Sequence, residues 1–106
     1  MTLENGRIRH TVVFRLKSST DERDFLAAAS KLAALPGVEQ FEILRETSPK
    51  NDYSFGISME FADQAAYDAY NEHPDHVRFV ESRWLVEVDE FLEIDYVRGP
   101  IEEGGA

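Results

Sequence analysis

Arg7-Ile8-Arg9-His10-Thr11-Val12-Val13-Phe14-Arg15-Leu16-Lys17 alternates in polarity. Ile8, His10, Val12, Phe14 and Leu16 fall on one side, and Arg7, Arg9, Thr11, Val13, Arg15 and Lys17 on the other. A period of two over this length predicts a β-strand with one apolar face. The anomaly in that face is His10. An imidazole taken out of water must find a hydrogen-bond partner. His10 is therefore either a satisfied core residue or one wall of a site.

After this strand, Ser19 followed three residues later by Glu22 reads as a capping box. The helix it opens carries Phe25, Ala29, Leu32 and Ala33 on one side and stops at Pro36-Gly37. Val38 to Thr47 reads as a second strand, and Ser48-Pro49-Lys50-Asn51-Asp52 as a turn. Tyr53, Phe55, Ile57, Met59 and Phe61 alternate with polar or small residues in a third strand, which suggests a hairpin. Asp63 is a candidate N-cap for a second helix through Ala66, Tyr67, Ala69 and Tyr70. Pro74 should break or kink it. Helical spacing resumes at Val77, Val80 and Trp84, and Glu87 to Val97 forms a last strand.

The order β-α-β-β-α-β predicts an α+β, ferredoxin-like sandwich: a four-stranded antiparallel sheet with both helices on one face. Strands one and three are then central, and the last strand flanks the first. A charge argument sets the expected face of that last strand. Glu87, Asp89, Glu93 and Asp95 would lie beside Arg7, Arg9, Arg15 and Lys17 as cross-strand pairs. This places Val88, Leu92, Ile94 and Tyr96 next to His10 and turns Asp95 away from it. Residues 1–6 read as an N-terminal extension, 7–97 as one domain and 98–106, with Gly99-Pro100 and Gly104-Gly105, as a flexible tail.

Composition narrows the function classes. A chain of 106 residues suits a single core. Twenty-one acidic against eleven basic side chains give a net charge of −10, which repels nucleic-acid phosphates and anionic membranes. With no cysteine, disulfides and thiolate chemistry are out. No apolar run approaches the roughly 20 residues of a membrane span. A cytoplasmic location is expected.

Tyr70-Asn71-Glu72-His73-Pro74-Asp75-His76 holds two of the three histidines. Imidazole titrates near neutrality, so Tyr70 and His76 could form a proton-transfer pair, the phenol binding a carbonyl or enolate oxygen while the imidazole removes a proton. The bland alternative is a core tyrosine beside a helix bend, with His73 holding the bend. Phe14, Phe25, Ile57 and Trp84 are candidates for an apolar pocket wall, with His10 orienting a ligand. A metal site would need a third ligand in fixed geometry beside His73 and His76, and only His10 and unplaced carboxylates are on offer; no metal or cofactor is expected. Glu102-Glu103 and Asp89-Glu90 read as solvated faces. No nucleophile elbow or phosphate-cradling glycine loop occurs.

Ile8-Arg9-His10-Thr11-Val12-Val13-Phe14, Leu35-Pro36-Gly37-Val38, Tyr70-x-x-His73-Pro74-x-His76-Val77 and Ile94-Asp95-Tyr96 together resemble the stress-responsive A/B barrel (Dabb) domain family. The resemblance runs from about Arg7 to Val97. It implies a homodimer whose sheets face each other as a barrel. Many members are known only as stress-induced or uncharacterised proteins. A plant member is a cofactor-independent polyketide cyclase, and its catalytic tyrosine and histidine match Tyr70 and His76. Its strand-one pocket histidine matches His10 and its final-strand aspartate matches Asp95, while Phe55 stands where it has a further histidine. Some relatives carry magnesium near the loop matching Leu35 to Val38. Three expectations follow: a cyclase or isomerase acting on a small apolar carbonyl compound, a non-enzymatic stress-associated dimer that holds a ligand, or, third in order, a cofactor-less monooxygenase of the related dimeric barrel type.

Overall fold

The computed structural model describes residues 2–99. Four strands, β1 (Ile8–Leu16), β2 (Glu39–Arg45), β3 (Phe55–Phe61) and β4 (Val88–Tyr96), form one antiparallel sheet in the order β2-β3-β1-β4. Helices α1 (Glu22–Ser30), α2 (Gln64–Glu72) and α3 (Pro74–Phe79) accompany it. This is the ferredoxin-like topology read from the element order, with β1 and β3 central.

The alternation of β1 is realised as expected: Ile8, His10, Val12 and Phe14 are buried, and the residues between them are partly exposed. Phe14, Phe25, Ile57, Met59 and Phe61 make the most enclosed part of the core, where α1 closes over β1 and β3. The cap of α1 differs from expectation. Asp21, not Ser19, is the N-cap, its carboxylate accepting the Asp24 N–H at 3.1 Å. The shift is two residues because the Ser19-Thr20 segment is spent on a turn, in which Thr20 N–H donates to the Lys17 carbonyl. Phe25, Ala29 and Leu32 point inward, but the last helical stretch tightens to a 3₁₀ turn, Lys31–Ala34, which leaves Ala33 exposed. Asp63 caps α2 through a 2.8 Å bond from Ala66 N–H.

At His73 the chain becomes extended, with φ −62° and ψ 133°, and Pro74 starts α3. The residue before proline is pushed out of the helical region, and proline at the first helical position loses no hydrogen bond. His73 ends α2 and also begins α3, its Nδ1 accepting the Asp75 N–H at 3.1 Å. A π-helical segment, Val80–Trp84, follows, with a short turn Leu85–Glu87 before β4. Of the expected inward residues Val77, Val80 and Trp84, Val77 is exposed; α3 is short and turns His76 and Phe79 inward instead.

Strand β4 carries the main correction. Arg15 pairs with Glu90 and Leu16 with Val88, so Asp89 is an extra residue in the ladder, a β-bulge. A one-residue slip exchanges the faces of everything beyond it. Phe91, Glu93 and Asp95 therefore lie opposite Phe14, Val12 and His10, on the helix-covered side. Leu92, Ile94 and Tyr96 go to the outer side. Among the expected charge pairs, Arg15 meets Asp89 at 2.9 Å. Arg7 and Arg9 meet Glu60 of β3 instead, at 3.2 and 2.7 Å.

Candidate functional site

Between the sheet and the α2–α3 bend lies a cavity of ≈ 250 Å³. The sheet contributes His10, Val12, Ile57 and Met59, and the bend contributes Tyr70, Asn71 and His76. Trp84, Leu85 and the β4 residues Phe91 and Glu93 complete one side. A largely apolar wall with a few convergent polar groups is the usual form of a small-molecule site.

The bend sets the chemistry of His76. Its Nδ1 lies 3.1 Å from the Asn71 carbonyl oxygen, which only accepts, so Nδ1 carries the proton and Nε2 keeps its lone pair. Burial, which penalises the charged ring, lowers its pKa from the ordinary 6.5. At neutral pH the imidazole is consequently an unprotonated base. The Tyr70 ring packs against it at a centroid distance of 4.4 Å. Burial, and then the Glu93 charge, push the Tyr70 phenol well above its usual range, so it remains an O–H donor.

His10 is held on the facing strand by a second network. Its Nδ1–H donates to Asp95 Oδ1 at 2.6 Å, and Tyr67 O–H donates to the same carboxylate at 2.9 Å. The expectation that Asp95 points away is corrected here: directly opposed residues in an antiparallel pair share a face, and the bulge makes His10 and Asp95 such a pair. With Nδ1 engaged, the His10 Nε2 is its free nitrogen, 4.0 Å from Glu93 Oε2. Burial and Asp95 hold the Tyr67 phenol strongly protonated.

The structure thus brings His10, Tyr70, His76, Ile57 and Trp84 to one cavity. Phe14 and Phe25 are not on its wall. Both are fully enclosed, and Phe14 packs at a centroid distance of 4.9 Å behind Trp84, which is the ring that lines the cavity. His73 serves the bend and is outside the cavity. Sequence reasoning missed Tyr67, Asn71, Phe91 and Glu93. Tyr67 lies three residues before Tyr70 on the inward face of α2, a spacing that could have flagged it. Glu93 and Phe91 depend on the bulge. In the loop at Leu35 to Val38, the Leu35 carbonyl already accepts the Val38 N–H at 3.2 Å. Among the described residues no group of three or more histidines or carboxylates is placed to hold a metal ion. Among the same residues no helix is long and apolar enough to cross a membrane.

Comparison with known proteins agrees with this architecture. A Dabb family protein of ferredoxin-like fold from Mesorhizobium loti is 61% identical, with a TM-score of 0.85 over 90% of this chain and 99% of its own. A dimeric ferredoxin-like protein of unknown function from Thermobifida fusca is 20% identical, with a TM-score of 0.74 over 92% and 95%. A hydroxynitrile lyase from Passiflora edulis shares the fold at 14% identity, with a TM-score of 0.82 over 94% and 100%. No curated protein matches the chain. The model of the stress responsive A/B barrel domain matches residues 8–98. The chain belongs to that family.

Proposed function

We propose that this chain is a cofactor-independent enzyme of the cyclase or isomerase type, acting by proton transfer beside the carbonyl of a small, largely apolar compound. One observation carries the reading: the Asn71 carbonyl fixes the His76 tautomer, leaving a basic Nε2 on the same cavity as the Tyr70 phenol. His76 Nε2 takes the α-proton, the C–H pair becomes the enolate double bond, and the carbonyl oxygen gains the displaced pair. Tyr70 O–H donates to that oxygen as its charge grows. His10, held by Asp95 and Tyr67, orients the ligand through Nε2. The hydroxynitrile lyase among the structural relatives is consistent with an enzyme on this fold. The lack of cysteine fits a cytoplasmic setting.

Solvent deuterium exchange tests this directly. Incubated in D₂O with small aryl methyl ketones, the protein should label their methyl groups faster than free imidazole at equal concentration, read by proton NMR. Binding without accelerated exchange would support the alternative, a non-enzymatic stress-associated or ligand-holding dimer.

The proposed assembly is a homodimer through the outer sheet face. Leu44, Gly56, Val13 and Leu92 stand in one cross-strand row there, with Ile94 and Tyr96 alongside. Leu44, Leu92 and Tyr96 are exposed in the single chain. Paired charges sit at the two ends, Arg15 with Asp89 and Arg9 with Glu60. An apolar centre with a charged rim is the usual composition of an interface, and the Thermobifida relative is dimeric. Sedimentation should give twice the 12.1 kDa chain mass, and Leu92→Asp should shift it to the monomer. A wild-type monomer at micromolar concentration would refute the dimer.

A further inference from the structure

The polar groups on the cavity wall leave one charge unaccounted for. Glu93 lines the cavity from β4, about half of its side chain is exposed, and its Oε2 approaches His10 Nε2 at 4.0 Å. No lysine or arginine is among the lining residues. His10 cannot neutralise it. The ring already faces Asp95 at 2.6 Å, so the His10–Asp95–Glu93 group keeps a net negative charge whether or not the ring is protonated. His76 offers no cation either, because its neutral Nε2 is an acceptor. Around these groups stand Tyr70, Phe79, Trp84 and Phe91. Their ring faces attract a cation and do nothing for an anion. The chain's net charge of −10 adds a field of the same sign.

We propose that Glu93 is the specificity determinant of this cavity, selecting a carbonyl compound that carries a protonated amine and rejecting a carboxylate of the same shape. The inference rests on the proton-transfer reading for the carbonyl part and names the second group the ligand must bear. In the bound complex the ammonium sits between Glu93 and the aromatic wall, and the carbonyl end reaches Tyr70 and His76. The bulge at Asp89 is what brings the carboxylate there, since without it Glu93 would face outward.

Three probes on one frame test the claim: 4-acetylbenzylamine, 4-methylacetophenone and 4-acetylbenzoate. Each is titrated into ¹⁵N-labelled protein, with the amide shifts of Asn71, Leu85 and Glu93 as readout. The amine should bind tightest and the acid weakest, with a span of about tenfold or more for a partly buried charge. In Glu93→Gln, a substitution at a half-exposed site, the span should shrink to about twofold. Equal binding of the three by the wild type, failure of the amine to bind at millimolar concentration, or an unchanged span in Glu93→Gln would each overturn the proposal. Deuterium exchange into the same ketones is read separately. Charge-ordered binding without exchange sinks the catalytic reading and spares the selectivity, whereas exchange without charge order does the reverse.

Discussion

His76→Ala should lose nearly all α-proton exchange, a fall of about 10²–10⁴-fold, the usual contribution of a positioned general base. The expectation follows from the bend. His76 is a lining group whose Nε2 lone pair is unprotonated at neutral pH, because Asn71 holds Nδ1–H and burial disfavours the cation. Tyr70→Phe should cost about 10²-fold, in the range seen when one donor to a developing oxyanion is removed. The two variants lose different things. Tyr70→Phe leaves the base intact, while His76→Ala opens space beside Tyr70 that added imidazole can occupy. Partial recovery of exchange with imidazole, in a variant whose far-ultraviolet dichroism is unchanged, separates a missing base from a damaged fold. Full activity in His76→Ala would end the catalytic role.

The second large effect concerns stability. Phe14→Ala should lower the unfolding free energy by about 3–5 kcal/mol, the cost of emptying a fully enclosed aromatic site. Phe14 is 0% exposed and touches Phe25, Phe55 and Trp84, with ring centroids 4.9–5.8 Å away. Each kcal/mol moves the midpoint of a domain this size by about 4–8 °C, so a drop of roughly 12–40 °C is expected in a thermal melt. Against a typical total of about 5–15 kcal/mol, the variant should be close to unfolding at physiological temperature. A change of only a few degrees would mean that Phe14 lines an open space, as its position on the apolar face of β1 first suggested.

Phe14 shows what alternation conveys and what it does not. A period of two assigns a face, and for β1 that assignment holds residue by residue. Depth within the face depends on what packs above it. Phe14 and Phe25 lie under Trp84, while Ile57 and Val12, apolar on the same sheet side, reach the cavity. The topology was legible because its punctuation is strong, at Pro36-Gly37, at the polar turn 48–52 and at Asp63. The phase of β4 was not. A single extra residue at Asp89 has no local signature, and the opposite charges of Arg15, Asp89 and Glu90 are compatible with either face until pairing is known. That one slip determines two results. It takes Glu93 and Asp95 off the outer face, leaving an apolar centre suited to a partner. It also brings Asp95 to His10 and Glu93 to the cavity. Tyr70 and His76 were legible through the segment around Pro74, whose bend follows from proline's own geometry. The hydrogen bond that makes His76 a base was not, since it needs the Asn71 carbonyl five residues back across the bend.

His76 stands in the cavity as a neutral imidazole with its proton on Nδ1. Long-range ¹H–¹⁵N NMR of the two ring nitrogens at neutral pH reads this without any substrate. A protonated, pyrrole-type Nδ1 and an unprotonated, pyridine-type Nε2 are expected. A proton on Nε2, or an imidazolium at neutral pH, would contradict it.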